Sequence, residues 1–296
     1  MDLLLEDLLK SILEFIEHIE LIVVDNAGDS QTKRVCDKYV EQGLPVVYSH
    51  EPRTGISIAR NTAIFLSTGE WVLFLDDDLR LGNSFIRKIL DLIESSGADI
   101  ICPRMITPIQ KDFPAWLTER LKSGIGQYDF RDKIVELGNK VKIPIGACMC
   151  FRRSVFEFCG PFREELGRKG KELLGGEETL FFWKAFQKGF KGIYVPDIEV
   201  IHVLSPFKES KRYWKRQGFG AGRSKVLMLK YQVGKHLFFP NLVFMAGYSA
   251  TKALVRSGMM LFLPNSKFEN YYKTLVHLGT VYQSAMCMVA VILRKS

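Results

Sequence analysis

The chain has 296 residues and a net charge of +8, with 47% hydrophobic and 25% charged residues. These are ordinary globular values and exclude a disordered or collagen-like chain. Its six cysteines are scattered, which excludes a disulfide scaffold and paired-cysteine zinc sites. Residues 203–296 hold fifteen Lys/Arg against only Glu209 and Glu269, a net of +13, leaving −5 for residues 1–202. An acidic front joined to a basic, apolar rear argues against a nucleic-acid binder and for an anionic membrane surface or acidic ligands. The N-terminus, Met1-Asp2-Leu3-Leu4-Leu5-Glu6-Asp7, lacks the basic region of a secretory leader and predicts a cytoplasmic protein.

Leu4, Leu5, Leu8, Leu9, Ile12, Leu13, Ile16 and Ile19 recur at helical spacing and predict a helix over residues 3–19. Leu21–Val24 reads as a buried parallel strand, stopped by the turn-forming run Asp25-Asn26-Ala27-Gly28-Asp29-Ser30. A helix over 31–42, a strand over 45–48 and a helix over 55–67 follow. Trp71–Leu75 is a third apolar strand that ends abruptly in Asp76-Asp77-Asp78. A helix over 83–95 and a strand over 99–102 come next. The alternation predicts an α/β fold with a mostly parallel central sheet flanked by helices. Ligands of such sheets bind beyond the carboxyl ends of the strands, where Asp25-Asn26 and the three aspartates stand.

Three adjacent aspartates repel one another unless a partner neutralises them, and a divalent cation with oxygen ligands does so. A solvated acidic turn is the plain alternative. Gly175-Gly176-Glu177-Glu178 precedes the apolar run Leu180-Phe181-Phe182-Trp183. Acids at a helix N-terminus favour the helix dipole, a structural role that suits Glu177. His202 ends the strand-like run Ile198–Ile201. Lys208–Lys225 contains seven bases interleaved with aromatic residues, a mixture that also suits a solvated face. Two apolar stretches close the chain, Leu237–Phe262 and Leu275–Leu293. Their mixed polarity predicts helices lying in a membrane interface or packed on the rest of the protein rather than crossing a bilayer.

Several motifs, in order, resemble those of family 2 glycosyltransferases. They are Val24-Asp25-Asn26, Gly55-Ile56-Ser57-Ile58-Ala59-Arg60-Asn61, Phe74-Leu75-Asp76-Asp77-Asp78, Pro144–Arg153, Leu166–Lys171, Gly175–Thr179 and Tyr194-Val195-Pro196-Asp197 with His202. The resemblance covers roughly residues 10–225. It implies a GT-A (nucleotide-diphospho-sugar transferase) fold over residues 1–205, with a basic helical appendage over 206–296. It further implies nucleotide-sugar contacts from Asp25, Asn26, Gly55, Arg60, Asn61, Asp76, Asp77, Gly146, Ala147 and Glu177. Asp76, Asp78 and His202 would hold Mn²⁺ or Mg²⁺ against the diphosphate, and Glu178 would be the general base of an inverting transfer. Arg60 has a second reading, as a partner of a neighbouring carboxylate.

The expected activity is metal-dependent transfer of a sugar from a nucleoside-diphosphate donor to a hydroxyl of a saccharide or lipid-linked acceptor in envelope or polysaccharide synthesis. Its expected place is peripheral, at the inner face of the cell membrane. The family opens on a central strand of the type apolar-apolar-Ile-Pro-x-Tyr-Asn, and this chain starts with the helix that follows it. The competing expectation is therefore a non-catalytic, membrane-associated relative.

Overall fold

The structure is a computed structural model. It describes residues 1–108, 114, 116–118, 121, 123–129, 131–138, 143–262 and 267–293. The chain forms two compact units. One comprises residues 1–109, 123–162 and 181–204; the other comprises 110–122, 163–180 and 205–296.

In the first unit, helix α1 (Asp2–Ile12) buries Leu4, Leu5, Leu8 and Ile12. The helical periodicity continues to Ile19, yet residues Leu13–His18 tighten into a 3-10 helix with no buried side chain. Strand β1 (Leu21–Asp25) leads to α2 (Ser30–Glu41), capped where the Asp29 carboxylate accepts from Gln31 N. Strand β2 (Val46–His50) pairs parallel with β1, and α3 (Ile56–Leu66) leads to β3 (Trp71–Leu75). Then come β4 (Leu79–Leu81), α4 (Phe85–Ser95), β5 (Ile100–Ile106), β6 (Val135–Leu137), β7 (Cys148–Arg152) and α5 (Arg153–Cys159). Helix α6 spans Glu177–Gln187, and β8 spans Gly192–His202.

The larger sheet runs β3-β7-β5-β8-β4, with β6 also on β8. The expectation of a mostly parallel sheet needs correction here. β5 and β8 are parallel, whereas β7 returns antiparallel between β3 and β5, and β4 and β6 pair antiparallel with β8. β1 and β3 share no hydrogen-bonded strand among the described residues. At their entry ends the Glu20 carboxylate accepts from Thr68 N at 3.0 Å.

The core lies between this sheet and its helices. Phe74, Phe151, Phe156, Phe162 and Phe181 pack ring against ring, with centroids 4.6 to 6.3 Å apart. α1 is tied to β4 by a buried carboxylate. Asp7 accepts from Arg80 Nε at 2.7 Å, from the second Arg80 nitrogen at 2.8 Å and from Leu81 N at 2.9 Å. Burial opposes ionisation of Asp7, but these donors outweigh it and hold its carboxyl below the usual value.

In the second unit, α7 (Lys211–Gln232), α8 (Lys235–Phe262) and α9 (Lys267–Leu293) pack together, with α9 against both of the others. At the α7–α9 crossing a Cβ on Gly222 would stand 1.9 Å from Val276 O, so only glycine permits this approach. Among the described residues no helix is long and apolar enough to cross a membrane.

Candidate active site

The strand ends of the first unit carry the sequence motifs, and each is built differently. Asp25 closes β1 and is buried. One of its oxygens accepts from Ala27 N and Gly28 N, both at 2.9 Å, and the other from Tyr48 Oη at 2.9 Å. Burial alone would raise its pKa, but the Tyr48 hydroxyl and the two amides bring it below the usual value. Asn26 ties the neighbouring loop: its amide donates to Glu51 O at 3.1 Å and Arg53 O at 2.8 Å, and its carbonyl accepts from Gly55 N at 2.6 Å. Asp25 and Asn26 therefore hold the walls at the end of β1, with Gly55 fixed at the start of α3.

Glu51 is a member of this cluster that sequence reasoning missed. It accepts from Arg53 Nε at 2.9 Å, Arg53 N at 3.0 Å and Thr62 Oγ1 at 2.8 Å. The Arg53 guanidinium first, then the Thr62 hydroxyl and the Arg53 amide, bring its pKa down to about 2. The signal available in sequence was an acid two residues before Arg53 in a loop opening a helix.

A second group forms around Arg60. Its guanidinium is buried and donates to Gly146 O at 2.8 Å and to Asp76 Oδ1 at 3.3 Å. Asp76 N donates to Ala147 O at 2.8 Å, which sets the end of β3 against the start of β7. Gly146 and Ala147 thus bear on the site through their backbone. Arg60 thus pairs with a neighbouring carboxylate, that of Asp76. Asn61 makes a two-way clasp with the Phe162 backbone, 2.9 Å in each direction.

The third group follows from strand register. β4 pairs with β8 so that Leu79 is opposite His202, and Asp78 is the residue just before Leu79. Asp78 O also accepts from Val203 N at 2.8 Å. His202 Nε2 consequently lies 3.2 Å from Asp78 Oδ2, with the imidazole almost wholly buried. On the other side of the ring, Nδ1 is 3.4 Å from Thr107 Oγ1. Gly126, at φ +101°, lies against the imidazole; a Cβ there would come 2.4 Å from Nδ1. Glycine at 126 is required both by the backbone and by the ring.

Among the described residues no three His, Cys, Asp or Glu side chains form a ready metal site. Of Asp76, Asp78 and His202, Asp78 meets His202, while the buried Arg60 guanidinium engages Asp76. Asp77 is exposed in the turn between β3 and β4.

In the second unit, Glu177 and Glu178 open α6, Glu177 buried and Glu178 partly so. The glycine pair before them is fixed to α7. Gly175 N donates to Ser224 Oγ at 2.9 Å, and Ser224 Oγ donates to Gly220 O at 3.0 Å. Ser224 is a positioning residue that no sequence motif marks. In the basic segment Arg223 reaches Gln283 at 3.0 Å and Glu172 at 3.1 Å, while Lys211, Arg212, Lys215 and Lys225 are exposed; outside it, Arg168 donates to Tyr213 Oη at 3.0 Å.

Residues 3–160 match the family described as Glycosyl transferase family 2. The chain belongs to that family. Its fold is GT-A, and it is a glycosyltransferase. It is 24% identical over 221 residues to the glucosyl-dolichyl phosphate glucuronosyltransferase of Haloferax volcanii, covering 72% of this chain and 68% of that one. It is 23% identical to the succinoglycan biosynthesis protein ExoM of Rhizobium meliloti, covering 70% of this chain and 63% of that one. Among solved structures it resembles the mannosyltransferase PcManGT of Pyrobaculum calidifontis in complex with GDP-Man and Mn²⁺. The TM-score is 0.58 at 16% identity, over 94% of this chain and 81% of that one. It also resembles S. aureus TarS 1-349 in complex with UDP-GlcNAc, with a TM-score of 0.55 at 17% identity, over 92% and 85%.

Proposed function

We propose that this family 2 glycosyltransferase moves a sugar from a nucleoside-diphosphate donor, with inversion and with Mn²⁺ or Mg²⁺, to a hydroxyl of a saccharide or lipid-linked acceptor in envelope or polysaccharide synthesis. The observation that carries the reading is the Asp78–His202 pair, 3.2 Å apart at the end of the sheet beside Asp76. A carboxylate and an imidazole on one side leave the remaining positions of a cation open. That suits an ion bound by one or two protein groups plus phosphate oxygens. Bound there, the ion would neutralise charge developing on the leaving diphosphate.

The chain's own residues do the rest. Asp25 and Asn26 keep the nucleoside wall in shape, and Gly55 fixes the start of the helix beneath it. Arg60 holds Asp76 against the Gly146–Ala147 backbone, which keeps the strand end rigid toward the donor. Asp77 and Glu177 remain candidates for donor contact. Glu178 is the proposed base, taking the acceptor hydroxyl proton opposite the leaving group. The named relatives include a dolichyl-phosphate enzyme and a succinoglycan biosynthesis protein, which supports a lipid-linked or polysaccharide acceptor. An acceptor of that kind suits peripheral attachment to an anionic membrane through the basic rear of the chain, at the inner face of the cell membrane.

The test is release of nucleoside diphosphate from a panel of UDP- and GDP-sugars with Mn²⁺, with and without simple saccharide or polyprenyl-phosphate acceptors. The reading expects one donor to be consumed, dependent on metal. No consumption of any donor, with no nucleotide binding, favours the non-catalytic relative.

A further inference from the structure

Helix α8 buries one side against α9, and among the described residues nothing covers the other. Leu242, Ser249 and Ala253 are buried, and Tyr248 and Arg256 reach His277 and Asn270 of α9. On the opposite side Leu237, Val243, Phe244, Leu254 and Val255 are exposed, Phe244 by 70% and Leu254 by 75%. At 100° per residue these five fall within one broad face. No charged residue occurs between Leu237 and Thr251. The face runs about 27 Å along the helix, at 1.5 Å per residue. Exposed apolar surface of this extent marks an interaction site rather than ordinary solvent-facing surface.

The margin of that face is cationic. Lys252 lies on it, one turn from Tyr248, with its ammonium 5.5 Å from the Tyr248 ring centroid. Arg256 follows a turn later and donates to Asn270 Oδ1 at 3.3 Å. Lys225 comes from α7. Burial first, then the charges of Arg256, Lys225 and Lys252, lower the pKa of His277. Residues 203–296 contain only two carboxylates to offset them. Glu269 is bonded to Lys273 and Thr118, and Glu209 lies in the short turn Pro206–Glu209. Three cations from two helices thus act on one imidazole.

We propose that the outer face of α8 docks in the plane of an anionic phospholipid bilayer, with Lys225, Lys252 and Arg256 meeting headgroup phosphates at its margin. An uncharged apolar face with a cationic rim is the complement of an acyl layer beneath anionic phosphates. The helix lies along the surface, because no described helix is long and apolar enough to cross. The inference rests on the membrane attachment proposed above and names the surface that makes it.

The test is flotation of the full chain with vesicles of phosphatidylglycerol and phosphatidylcholine, against vesicles of phosphatidylcholine alone. Wild type is expected to float with the anionic vesicles only, and less at high salt. Phe244→Asp with Leu254→Asp removes flotation at any salt. Lys225→Glu with Lys252→Glu lowers the partition coefficient about tenfold or more. Both pairs are exposed or at the margin, and circular dichroism checks that the helices persist. Nucleotide binding is measured on the same samples: variants that lose flotation but keep nucleotide binding support the docking face, whereas a wild type that binds nucleotide yet floats with neither vesicle overturns the attachment together with the docking face. Equal flotation of wild type and both variants overturns it. So does a concentration-dependent dimer that Phe244→Asp abolishes in the absence of vesicle binding, because the face would then belong to a second copy.

Discussion

His202 and Asp78 are 124 positions apart in the chain, yet their side chains meet at 3.2 Å because the antiparallel pairing of β4 with β8 sets Leu79 opposite His202. The pair is a product of register. A shift of one residue would turn the imidazole to the other side of the sheet. Gly126 guards the same placement, since a side chain there would enter the ring. We therefore expect Gly126→Ala to weaken metal-dependent nucleotide binding about tenfold or more by displacing His202, although residue 126 bears no ligand group. Titration of nucleotide with and without Mn²⁺ checks this; unchanged metal dependence in the variant would show that His202 has no part in it.

Glu178→Gln should lower turnover by roughly 10²–10⁴-fold while donor binding stays near the wild-type value, the range for loss of a positioned base. Steady-state rates and donor titration on the same variant read the two effects apart. Near-normal turnover would move the base to another carboxylate, Glu177 being the first to try.

Asp7→Ala should destabilise the protein by about 2–4 kcal/mol, because it leaves the Arg80 guanidinium and Leu81 N without their shared acceptor. The loss also loosens β4, which carries the residue after Asp78. Urea unfolding measures it. A change under 0.5 kcal/mol would mean that α1 is held by its leucines alone.

Stability should fall in acid. Glu51 ionises in the folded state at about 2, below its ordinary 4.5, so the folded form holds the charge more strongly than the unfolded one. That contribution is complete above about 4.5 and disappears as pH falls from there to about 2. Asp7 and Asp25 are lowered as well and act with the same sign. Urea midpoints between pH 6 and 2.5 should decline mainly below 4.5, and Glu51→Gln should flatten part of the decline. A wild-type midpoint constant over that interval would contradict this.

Much of the frame was legible locally. Trp71–Leu75 is a strand because five apolar residues end at three aspartates, and the structure places β3 on those same residues. What sequence missed depends on distant partners. β5 extends to Ile106, beyond the expected 102, across Pro103 and Arg104. Its ladder to β8 shifts register there, and Arg104 finds Asp129, Asp132 and Glu199. β4 has only three residues, and nothing in Leu79-Arg80-Leu81 announces that Asp7 anchors it. The candidate site divides in the same way. The positions of Asp25, Asn26, Arg60, Asp76 and Asp78 could be read from motifs. Their division into groups that shape the site and groups open to a ligand could not, because it rests on bonds such as Asn61 to Phe162, 101 residues away.

In the proposed function Asp78 and His202 form the protein side of a metal-dependent donor site. Calorimetric titration of wild type and Asp78→Ala with UDP and GDP, each with Mn²⁺ and with chelator, tests it most directly. Wild type should bind one nucleotide at least tenfold more tightly with Mn²⁺. Asp78→Ala, still folded, should bind it equally weakly in both conditions. Wild-type affinity that ignores the metal, or an Asp78→Ala variant that keeps the full metal effect, would contradict the account.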